Sequence, residues 1–148
     1  MKPLSIMAAA CLICLLSACN SDEKEITRVA QGYLDATGNY HIEEAMPYAN
    51  QETRDKTLTF LRDNLIPITP KEYIESNTPA TIKLGEIVRD GDTAVVCYTK
   101  TTPIKVLESE IMVVKEDGKW LVHVPLVLPE NIAVDGQTAT LSMAPSED

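Results

Sequence analysis

Two Asp-Gly pairs, Asp90-Gly91 and Asp117-Gly118, each standing between runs of β-forming residues, constrain this 148-residue chain more than any other feature. Asp-Gly accepts the positive φ angles that a two-residue hairpin loop requires, and that loop fits the twist of the strands it joins. Ala80 to Arg89 and Thr93 to Thr101 flank the first pair, and Lys105 to Lys115 and Lys119 to Pro125 flank the second. These runs are rich in Val, Ile, Thr and Tyr, the residues that suit a pleated surface. Pro103 falls between the hairpins, where a missing N–H costs no ladder bond. The pattern predicts a four-stranded antiparallel meander.

Upstream of Pro79 the apolar period changes from two to that of a helix. Ile26, Val29, Ala30, Tyr33 and Leu34 form an amphipathic stripe, which Gly38-Asn39 ends with C-cap chemistry. Asn39 is placed to cap a short second helix through Ala49, with Pro47 stopping or kinking it. Asn50 then caps a third, whose Leu58, Phe60, Leu61 and Leu65 repeat helically until Pro67 and Pro70. Residues 71–79 have room for one more turn. Helices first and strands afterwards make an α+β domain over 26–125, with the helices packed on one face of the sheet. Residues 126–148 form an extension in which Thr138 to Met143 alternates with period two. It is either an added edge strand or a loosely ordered tail.

The first 18 residues are of another kind. One cation, Lys2, precedes an apolar run from Leu4 to Leu16, the layout of a secretory signal. The run falls short of the about 20 residues a membrane-spanning helix needs. It closes on Leu16-Ser17-Ala18-Cys19, which resembles the bacterial lipobox. That resemblance implies cleavage between Ala18 and Cys19, lipid on the Cys19 thiol with palmitate-type acyl chains, and a chain held to a bilayer by three of them. One acyl chain holds only marginally, whereas two or more anchor stably. An ordinary signal peptide would not need Cys at that position. Asn20 after the Cys is similar to outer-membrane sorting signals, and Ser21-Asp22-Glu23 to surface-export signals of some lineages. Asn20 to Glu25 reads as a polar tether reaching at most about 20 Å when extended.

Loss of residues 1–18 removes Lys2 and none of the 22 acidic residues, so the mature chain carries a formal charge of −10. Such acidity disfavours nucleic acid and anionic headgroups as direct partners. Cys11 and Cys14 leave with the signal and Cys19 is taken by lipid. Cys97 then has no partner for a disulfide, and it reads as a small strand hydrophobe in preference to a reactive thiol. With His41 and His123 the only histidines, a Cys/His metal site has too few ligands. Phosphate-loop, dinucleotide, zinc-protease and nucleophile-elbow motifs are missing, so no cofactor is expected.

Val29-Ala30-Gln31-Gly32-Tyr33-Leu34-Asp35-Ala36, Gly38-Asn39-Tyr40 and Glu43 to Ala49, followed by Asp90 to Val96 and Glu116-Asp117-Gly118-Lys119-Trp120-Leu121-Val122, resemble small bacterial lipoproteins. These belong to a domain-of-unknown-function family within the nuclear-transport-factor-2-like, or cystatin-like, superfamily. The resemblance implies a curved sheet and helices forming a cone that often encloses a pocket. Tyr33, Tyr48, Tyr98 and Trp120 are this reading's own candidates for its lining. Members of the superfamily range from isomerases and dehydratases to non-catalytic domains, so the fold does not select a function. An isomerase- or dehydratase-type enzyme would draw on Tyr33, Tyr48, Tyr98, Glu86, Glu108, Glu110 or His123. Which of these face the interior depends on hairpin register: a two-residue loop at Asp117-Gly118 pairs Val113 with Val122, a three-residue loop pairs Met112 with it. Each candidate also has a plain role, Glu108 and Glu110 on a wet outer face and Tyr33 in the core. No residue is assigned to catalysis. The expectation is a non-catalytic binding or interaction domain in the cell envelope, anchored at the outer membrane. Its partner would be a small apolar ligand or an envelope protein, and docking into an envelope complex is the remaining alternative.

Overall fold

The structure, a computed structural model, describes the backbone of residues 4–128 and the side chains of residues 20–128. Strands β1 (Thr81–Asp90), β2 (Thr93–Thr101), β3 (Val106–Glu116) and β4 (Lys119–His123) form one antiparallel sheet in sequence order. At the β3–β4 turn Glu116 pairs with Lys119, and Asp117 and Gly118 both take positive φ, at 50° and 76°. The two-residue register follows, with Val113 opposite Val122 in the core and Met112 opposite His123 on the other face. The first hairpin differs by one residue from the expectation. Asp90 pairs with Thr93, so the loop is Gly91-Asp92, with Gly91 at φ 59°. A bulge between Leu84 and Ile87 resets the register of β1, which bends a strand locally.

Helix α1 (Leu4–Gly38) lays its predicted stripe on the sheet, burying Ile26, Val29, Ala30, Tyr33 and Leu34, mainly against β4 and β1. It begins well before Ile26. Residues 20–25, expected as an extended tether, are helical. Glu25 pairs with Arg28 at 2.6 Å and Thr27 donates to the Glu23 carbonyl at 2.8 Å, but the contacts that fix this turn come from the sheet. Among the described residues no helix is long and apolar enough to cross a membrane.

At the other end of α1 the left-handed residue is Tyr40, at φ 63°, and not Gly38 or Asn39. Asn39 does not cap the next helix either. Its Nδ2 donates to the Ala80 carbonyl at 3.1 Å and its Oδ1 accepts from Ala80 N at 2.8 Å, a backbone-like pair at the start of β1. Helix α2 (Ile42–Ala45) runs into a single 3-10 turn, Met46–Tyr48, opened by Pro47.

Helix α3 covers 51–68, and Asn50 caps it as expected: Oδ1 accepts from Thr53 N at 3.0 Å. Its winding was not expected. Thr53–Leu58 and Leu61–Leu65 are π-helical, and Ile66–Ile68 tightens to 3-10. The wider turn breaks the 3.6-residue stripe, so Leu58 is buried while Leu65 is 43% exposed. What holds α3 in place is polar. Thr53 Oγ1 accepts from Val124 N at 2.9 Å and Thr57 Oγ1 donates to Val124 O at 2.6 Å, while Asn50 N donates to Val122 O. These groups substitute for a fifth strand along β4, much as Gln31 Nε2 reaches the Ile82 carbonyl on β1. Helix α4 (Lys71–Ser76) supplies the extra turn.

Trp120, Leu58, Val96, Val113 and Val122 join the α1 stripe in one cluster that fills the space between the layers. The fold is α+β with helices on one sheet face. The hollow expected of a cone is occupied by side chains. The alternating segment 138–143 lies outside the described residues.

Candidate functional site

The four aromatic residues expected to line a pocket do not meet in one. Tyr33 lies in the α1 stripe at 5% exposure, and burial, with Tyr98 nearby, pushes its hydroxyl up to about 12. Tyr98 packs against the core from β2, and Trp120 is buried outright. Tyr48 alone faces a well-formed cleft. It closes over Gly32, where an added Cβ would come within 2.6 Å of its ring carbons, so only glycine lets the ring lie on the helix. The adjoining cleft, about 400 Å³, is bordered by Asp35, Asn39, His41 and Glu44. It gathers a Tyr, a His and two carboxylates, yet His41 and Glu44 are 59% and 73% exposed. These side chains stand in water, whereas enolisation chemistry sets its carboxyl against an apolar wall.

His123 ends β4 beside the start of α3. Asn50 Nδ2 donates to His123 Nδ1 at 3.0 Å and to Glu116 Oε1 at 2.9 Å. An amide nitrogen has only hydrogens to offer, so Nδ1 is the acceptor in this contact. Glu52, Asp55 and Lys56 complete an open cleft of about 450 Å³. The Lys56 ammonium, bonded to Glu52 at 3.0 Å, holds that carboxyl below its usual range. Glu52, Asp55 and Glu116 are exposed, which suits a polar or cationic contact. Glu86, Glu108 and Glu110 are exposed on the sheet.

The most connected polar site lies where α1 enters the domain. Asp22 Oδ1 accepts from the Trp120 indole N–H at 3.0 Å and from Lys115 Nζ at 3.4 Å, and Oδ2 accepts from Arg89 Nη2 at 2.6 Å. The Arg89 guanidinium also stands 5.2 Å from the Trp120 ring centroid and Lys115 Nζ 5.8 Å, so both cations straddle the indole. The register makes this possible. Lys115 and Trp120 are directly paired and share the core face, and Arg89 reaches the same end from β1. With 18% of its side chain exposed against 33% and 30% for its cations, Asp22 is the sheltered centre of the group. The indole hydrogen bond, then the Lys115 bond and the charges of Arg89 and Lys115, keep its carboxyl below the usual carboxylate range. Sequence reading placed Asp22 in a tether because no apolar period marks it. Its partners lie 67 to 98 residues away.

No protein-family model matches this chain, and no curated protein is significantly similar to it. Among solved structures it is similar to a putative NTF2-like transpeptidase from Campylobacter jejuni. The two share 18% identity over 65% of this chain and 94% of that one, with a TM-score of 0.46.

Proposed function

We propose that this chain is a cell-envelope lipoprotein, anchored through Cys19 after loss of residues 1–18, whose domain works by surface contact and without catalysis. The observation that carries the reading is the Leu16-Ser17-Ala18-Cys19 sequence at the end of a short apolar run, directly upstream of a domain with a filled core. A filled core favours contact at clefts and faces over capture of an enclosed ligand, so an envelope protein is the preferred partner class. The clefts beside Tyr48 and His123 are open to water, which favours a contact surface over the closed apolar site of an isomerase- or dehydratase-type enzyme. Asn20 favours the outer membrane as the destination. Cells fed labelled palmitate test the anchor: the native protein should take up label and fractionate with membranes, and Cys19→Ser should do neither. Equal fractionation of both proteins, or an unlabelled native chain, would defeat the reading.

A further inference from the structure

We propose that Asp22 sets how the domain stands on the bilayer, with the β1–β2 and β3–β4 turns against the phospholipid headgroups and the β2–β3 turn pointing away. The inference rests on the lipid anchor at Cys19 proposed above. The α1 backbone is helical through residue 19, and Asp22 is already bonded to the sheet three residues later. Only Asn20 and Ser21 separate the anchor from a fixed point, and three peptide units span at most about 10 Å. A loose tether over 20–25 would allow twice that reach and any orientation.

The groups that hold Asp22 also locate the turns. Arg89 immediately precedes Asp90-Gly91-Asp92, and Lys115 lies two residues before Asp117. Lys115 N donates to the Asp92 carbonyl at 2.7 Å, which ties the two turns together. Anchor and both turns therefore share one end of the molecule. The opposite turn, Thr102 to Lys105, closes with Thr102 N donating to Lys105 O at 2.9 Å and lies the length of β2 away, about 30 Å for a nine-residue strand. The two turns carry Asp90, Asp92, Glu116 and Asp117, so the short connection to the anchor, and not charge attraction, is what holds them near the headgroups.

The test uses the full lipidated protein in phosphatidylethanolamine–phosphatidylglycerol vesicles that carry a headgroup-borne quencher. In a Cys97→Ser background, a fluorophore is attached at Lys119→Cys, beside the β3–β4 turn, or at Ile104→Cys, in the opposite turn. Quenching at 119 should exceed that at 104 by at least about threefold, given the strand-length separation. Asp22→Ala should still sediment with the vesicles while the ratio falls toward one. Arg89→Gln, which spares the indole bond, should give an intermediate ratio and guards against misfolding of the first variant. Equal quenching at both positions with Asp22 present, or an undiminished ratio in both variants, would overturn the proposal. If the parent and Cys19→Ser proteins both stay in the supernatant, the anchor itself fails and the orientation with it. If only the parent binds, the ratio alone decides.

Discussion

At its N-terminal side α1 meets the sheet through a carboxylate, Asp22, set among an indole and two cations; at its C-terminal side it does so through a primary amide, Asn39, paired with the Ala80 backbone. Both junctions cross from helix to strand and both use short bonds. They respond differently to their surroundings. Amide–backbone bonds carry no net charge and are indifferent to salt and to pH in the ordinary range. A charged junction depends on ionisation and is screened where solvent reaches it. The lesson is that one helix can be fastened permanently at one end and conditionally at the other.

The hardest test of that contrast is Trp120→Ala. It removes the indole that both closes the core and donates to Asp22, and should cost about 3–5 kcal/mol in denaturant unfolding. A loss below about 1 kcal/mol would mean that the indole is not a core element at all. Asn39→Ala should cost about 1–3 kcal/mol, because Ala80 N and O lose their partner. The loss should be the same at low and high salt, and salt dependence would break the contrast. Gly32→Ala, on α1 between the two junctions, sets a tight contact with the Tyr48 ring against a better helix former and should destabilise by about 1–2 kcal/mol. An unchanged or raised melting temperature would show that Tyr48 moves aside freely.

Asp22→Asn should have the smallest effect on the melting temperature, and one that shrinks as salt is added. Its signature is pH. The native carboxyl is held below the ordinary value of 3.8, so its contribution is complete above that pH and is lost as pH falls through the lower native value. Trp120 is the sole tryptophan, so its fluorescence reports the junction directly. The emission should change in that acidic range for the native chain and stay flat for Asp22→Asn. Matching acid profiles in the two proteins would remove the conditional half of the comparison.

How much of this was legible in the sequence divides along the same line. The hairpins, the buried stripe of α1 and the Asn50 cap depend on neighbours a few residues apart, and each is visible as a local pattern. The β3–β4 register followed once Asp117-Gly118 was known to be a two-residue loop. Asp22 left no such trace, since its three partners come from three different strands. Thr53 and Thr57 were equally silent. Spaced as they are, they look like an ordinary polar face, and only the course of the chain through Val124 makes them a substitute strand. Tyr33 and Trp120 read equally as lining or as core, because an aromatic residue looks the same in a wall as in a packed interior.

One stretch of the sheet has neither hydroxyl nor amide cover. Because β4 ends at His123, opposite Met112, the outer edge of β3 from Val106 to Ile111 has no partner among the described strands, and Glu108 and Glu110 stand exposed along it. An open ladder invites a second copy to zip onto it. Two like charges two residues apart make that zipper repel itself. Neutralising that pair would remove the repulsion that opposes such stacking.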